Sequence, residues 1–120
     1  MAPIPNEVSV MAKQYTIAPQ DIRPLATGHG LCVATDLITL EGHPVGYMVR
    51  EEPEDDEDSG WRFFAGSEDD RYIDNPKHFS LLDVNVLANY DQSIIPLLES
   101  PVGAAFDKGD DGVFYDVSED

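Results

Sequence analysis

The sequence is poor in basic residues. Seven lysines and arginines stand against 24 aspartates and glutamates in 120 residues, a formal charge of −17. That imbalance argues against direct binding to nucleic acid or to an anionic membrane, since both carry the same sign. Cysteine is nearly absent: Cys32 stands alone, so no internal disulfide can form and a reducing compartment fits best. The N-terminus, Met1-Ala2-Pro3-Ile4-Pro5-Asn6-Glu7, lacks the basic start and apolar stretch of a secretion signal. No apolar run approaches membrane-spanning length. The expected location is cytoplasmic. There is no Gly-rich phosphate loop, no Gly-x-Ser-x-Gly and no zinc-like spacing of His and Cys. No cofactor, no metal and no catalytic residue is expected, and the chain reads as a non-enzyme.

Apolar residues make up 42% of the chain, with five Tyr, five Phe and one Trp, enough for one folded core. The acids are concentrated. Seven of the eight residues 51–58 are acidic, and they run directly into Ser59-Gly60-Trp61-Arg62-Phe63-Phe64. Like charges so close together repel and stay hydrated, whereas the aromatic string favours burial. The acids therefore read as a loop held out from a sheet. Calcium is the obvious alternative. An EF-hand frame begun at Asp55 places Gly66 at the twelfth position, and one begun at Asp107 places Ser118 there, so both lack the closing carboxylate.

Residues 32–40 are rich in apolar and β-branched types and read as a first strand, and 41–44 as a turn. Residues 45–51 read as a second strand, with Val45, Tyr47 and Val49 on one face and Met48 and Arg50 on the other. Residues 61–65 read as a third, with Trp61, Phe63 and Ala65 opposite Arg62 and Phe64. These three are expected to form an antiparallel meander. Asp83 is placed to cap a helix over 84–90, in which Val84, Leu87 and Ala88 share a face. Gln92 to Ile95 form a short turn that Pro96 distorts or stops. Residues 102–106 and 113–117 read as a closing hairpin. The expected fold is α+β, in the order β-β-β-α-β-β, with an antiparallel sheet of about five strands and short helices on one face. Residues 1–30 read as an N-terminal extension, with helix and edge strand both open for 8–17. Residues 31–120 read as a single domain.

The candidate partner-binding residues are Glu52, Glu54, Asp55, Asp56, Glu57 and Asp58, with Glu68, Asp69 and Asp70 from the next acidic connection. The two connections flank residues 61–65 at opposite ends, so they make one patch or two. Arg50 and Arg62 are two of the few bases; they either pair with acids such as Asp36 or Glu51 to steady the sheet, the role that bidentate pairing favours, or mark a shallow ligand site. The charge favours a basic protein partner, captured fast and in a salt-sensitive way.

The strings Pro44-Val45-Gly46-Tyr47-Met48-Val49-Arg50-Glu51 and Asp58-Ser59-Gly60-Trp61-Arg62-Phe63-Phe64-Ala65-Gly66-Ser67-Glu68 carry a resemblance. Asn75-Pro76, Ala88-Asn89-Tyr90-Asp91, Ile94-Ile95-Pro96-Leu97-Leu98 and Pro101-Val102-Gly103-Ala104-Ala105-Phe106 continue it. Over roughly residues 31–107 the chain resembles a bacterial family first catalogued as a domain of unknown function and later assigned as predicted immunity proteins of polymorphic toxin systems. The resemblance implies a protein that neutralises a cognate toxin by occlusion, and it brings no catalytic residues. The alternative reading is a small accessory or regulatory domain that binds a ligand or protein unrelated to toxins.

Overall fold

A computed structural model describes Lys13 and residues 15–118. The segment 8–17 left open above lies largely outside them. Six strands form one mixed sheet: β1 (Leu31–Thr35), β2 (Tyr47–Arg50), β3 (Asp58–Phe64), β4 (Phe79–Asp83), β5 (Ala105–Lys108) and β6 (Phe114–Asp116). Their order across the sheet is β4-β1-β3-β2-β5-β6. β1 and β3 run parallel, and every other neighbouring pair is antiparallel. The α+β class is as expected, but the sheet is neither five-stranded nor wholly antiparallel.

The meander fails at its first link. Residues 36–39 form a short helix, α1 (Asp36–Thr39), rather than the second half of a strand. Ile38 and Thr39 are buried on it. Gly42, at φ +79°, turns the chain back, and the amides of Gly42 and His43 donate to the carbonyls of Ile38 and Leu37. A short apolar run has no period that separates a buried strand from a buried helix. The helix carries the chain away from β1, and β3 fills the space between β1 and β2.

β3 also begins three residues earlier than expected. Its register slips against β1, where Leu31 faces Asp58 but Val33 faces Arg62. Gly60, at φ +88°, makes this irregularity possible, since a Cβ there would sit 2.2 Å from the Glu51 carbonyl oxygen.

β4 was not anticipated. Ser80 points inward and Leu81 outward, the latter 65% exposed, so the usual apolar-in alternation is broken there, and only Leu82 packs on the core as expected of a strand. The closing hairpin exists but is shifted to Ala105–Lys108 and Phe114–Asp116.

Helix α3 (Val84–Tyr90) forms as expected. The Asp83 side chain accepts from the Asn85 amide at 2.8 Å, and Val84, Leu87 and Ala88 are buried. The Gln92–Leu97 segment is a 3-10 helix that includes Pro96. Together they cover one face of the sheet. Cys32, Ala34, Met48, Trp61 and Phe63 meet Ile38, Leu87, Ile94 and Leu98 there. Trp61 is fully buried, stacks on Phe63 at 6.0 Å and donates its indole N–H to the Leu98 carbonyl. In β2 it is Met48 that enters this core, and Tyr47 and Val49 that face away. Asn85 and Asn89 of α3 hold the backbone of Arg23, Leu25 and Ala26.

Candidate partner-binding surface

Among the described residues, no helical layer covers the opposite face of the sheet. Register and alternation set two rows of side chains across it. One row runs Leu81, Val33, Arg62, Val49 and Ala105. The other runs Phe64, Tyr47, Asp107 and Tyr115, one residue from each of four adjacent strands. Each row borders a groove. The first groove, about 240 Å³, lies among Leu31, Val33, Arg62 and Leu81 beneath Glu54, Asp55 and Asp58. The second, about 390 Å³, is lined by Tyr47, Phe64, Gly66, Glu68, Ile73, Asp107 and Val117.

The two acidic connections lie at opposite ends of β3, each beside a different groove. They form two patches that border one face. Their acids differ in what they do. Asp58 receives Arg62 through two nitrogens at 3.0 and 2.9 Å and also accepts from the amides of Glu54 and Gly60. Arg62 above all, with these amides, holds the Asp58 carboxyl well below the ordinary range. Asp55 accepts from the amides of Glu57 and Asp58 and so shapes the loop. Glu68 folds inward: Thr35 donates its hydroxyl at 2.6 Å, and the amides of Ala65 and Gly66 donate at 2.7 and 2.9 Å. Burial works to raise its pKa, but these donors outweigh burial and lower it. Asp69 caps α2 (Asp70–Ile73) by accepting from the Tyr72 amide. Glu52, Glu54, Asp56, Glu57 and Asp70 are exposed, and their carboxylates make no hydrogen bond or ion pair among the described residues.

Arg50 and Arg62 fall on opposite faces and share no pocket. Arg50 lies on the covered side, 5.9 Å over the Trp61 ring, and donates to the carbonyls of Ser59 and Ser100 at 2.9 and 2.7 Å. Arg62 lies on the open side between Asp58 and Glu51. Both steady the sheet. Cys32 is fully buried, and that burial, reinforced by Asp83, pushes its thiol far above the usual range. It behaves as a small apolar side chain. Among the described residues no group of His, Cys, Asp and Glu is arranged to hold a metal ion, and no helix is long and apolar enough to cross a membrane.

What the described residues present is a sheet face whose largely apolar rows include Arg62 and Asp107, with acids at both ends, on a fold whose Trp61 string lies at its centre. The family described as Immunity protein Imm33 domain matches residues 32–118. The chain belongs to this family. No curated protein and no solved structure matches the chain. The Imm33 match begins at the second residue of β1 and runs past β6, so it takes in all of the sheet but Leu31. Sequence reasoning found the acidic loops of this immunity domain but missed the row containing Asp107. That residue reads as part of a hairpin loop unless the register of β5 against β2 is known.

Proposed function

We propose that this chain is a non-enzymatic immunity protein that acts in the cytoplasm, binding a basic cognate toxin and neutralising it by occlusion. The observation that carries this reading is the set of five exposed carboxylates, Glu52, Glu54, Asp56, Glu57 and Asp70, which no described residue engages. The remaining candidates, Asp55, Asp58, Glu68 and Asp69, shape the loops on which these acids stand. Internal bases offer little compensation. Lys13, Arg62 and Lys108 pair with Asp36, with Asp58 and Glu51, and with Asp91, and Arg50 is held by carbonyls.

A toxin that acts on nucleic acid presents a cationic surface. An acidic face steers encounter with such a surface and then covers it. The apolar rows between the acids supply the contact area that charge alone lacks. The test is co-expression of this chain with each toxin domain encoded in its own genome. Survival restored against one toxin, with a complex that weakens as salt rises, is the expected result. A chain that protects against none of them ends this reading.

A further inference from the structure

In the row Phe64–Tyr47–Asp107–Tyr115, the Asp107 carboxylate is a group that folding does not use. Asp107 is exposed, and its carboxylate makes no hydrogen bond or ion pair among the described residues. It stands directly between Tyr47 on β2 and Tyr115 on β6. Adjacent strands are about 4.8 Å apart, so the Tyr47 ring lies beside this charge, whereas Tyr115 donates its hydroxyl to Asp111 and does not line the groove. Phe64 extends the aromatic side, with its ring 5.8 Å from that of Tyr47. Ile73 and Val117 supply aliphatic walls and are 42% and 45% exposed. Glu68 adds negative charge at the edge while keeping its own three donors. None of the groove's lining residues is basic. Its volume of about 390 Å³ falls at the small end of ligand clefts, roughly 300–1,000 Å³.

We propose that this groove seats an arginine side chain of the partner, with its guanidinium on Asp107 beside Tyr47 and its stem against Phe64, Ile73 and Val117. Arginine fits better than lysine. Its planar head stacks on aromatic rings and meets a carboxylate through two N–H groups, and its methylenes cover apolar surface. The seat stands on the groove's own geometry; naming the toxin as the source of the arginine rests on the immunity reading above.

The probe is the blocked tripeptide acetyl-Gly-Arg-Gly-amide, titrated into the full 15N-labelled chain. The citrulline version serves as its neutral counterpart. Saturable shifts are expected at the amides of Tyr47, Phe64, Asp107 and Val117, with none from citrulline. Asp107→Asn keeps the shape of an exposed side chain and removes its charge. It should melt like the parent and bind the arginine probe about tenfold more weakly, as loss of a charged hydrogen bond implies. Shifts confined to residues 51–57, or affinity unchanged by Asp107→Asn, overturn the seat. The toxin complex separates the two readings. A chain that protects against a toxin yet shows no groove shifts keeps its immunity role and loses the seat. Groove binding with toxin affinity indifferent to Asp107→Asn removes the toxin as the source of the arginine.

Discussion

On the covered face of the sheet, Met48, Trp61 and Phe63 have no exposed surface, and the bases that share the face are engaged, Arg50 by two backbone carbonyls and Lys108 by Asp91. On the open face the same strands present Tyr47, Val49, Arg62 and Phe64 only partly buried, with Leu81 and Tyr115 at 65% and 52% exposure. One face has used its apolar area in folding. The other has kept it, flanked by charge of a single sign. Apolar surface left wet beside unengaged acids supports the proposal that this face meets another molecule.

The contrast breaks most severely at Trp61. Trp61→Ala empties the centre of the covered face and should cost roughly 3–5 kcal/mol, read as a lower urea midpoint. An unchanged midpoint would mean that the covered face is not where stability resides.

Glu68 belongs to the open face by position yet acts as a folding group. Glu68→Ala strands the Thr35 hydroxyl and two amides, and should cost about 1–3 kcal/mol. The same residue carries a pH signature. Its folded pKa is lowered, as are those of Asp58 and Asp91. Such groups contribute stability that is present above their unfolded values, about 4, and lost as pH falls through the folded ones. Denaturant midpoints should hold steady above about pH 5 and decline below it, and Glu68→Gln should make that decline shallower. A midpoint flat to pH 2 would contradict all three carboxylates.

Asp83→Ala removes the cap of α3, the helix that makes the covered face covered, and should cost about 1 kcal/mol.

The smallest expected effect on stability is at the exposed loop. Changing Glu54 and Glu57 to Gln, and Asp55 and Asp56 to Asn, preserves the Asp55 side-chain acceptor and removes four charges. Stability should move by less than about 0.5 kcal/mol. Association with the toxin, followed by stopped flow at several salt concentrations, should slow and lose salt dependence. An on-rate and salt slope equal to the parent's would reduce the loop to a solvated surface.

What was legible in the sequence follows from how local each signal is. Alternation in Trp61-Arg62-Phe63-Phe64 assigned its faces correctly because the period of a strand is carried by the strand itself. The Asp83 cap and the Val84, Leu87, Ala88 face were equally local. Residues 36–39 were misread because an apolar run has no period of its own. β4 was missed because its serine and leucine trade places. The pairing of β1 with β3 depends on which strand reaches the gap, and no short window of residues encodes that. The Asp107 row was invisible for the same reason: its four members come from four strands and meet only in register. Arg50 and Arg62 looked like a pair because they sit on neighbouring strands, yet Arg50 lies opposite Trp61, and Val49 opposite Arg62.

The insertion of β3 between β1 and β2 also has a consequence in time. β1 and β2 do not pair with each other, and the outer strands β4 and β5 attach to them from either side. During synthesis the first two strands therefore leave the ribosome with no partner, and the sheet cannot begin until residues near Phe64 have emerged. Closing it then requires contacts between segments far apart in the chain, the kind that slows folding. Until that moment the acidic stretch follows two unpaired strands out of the ribosome, and charge of one sign beside exposed strands opposes their pairing with other chains.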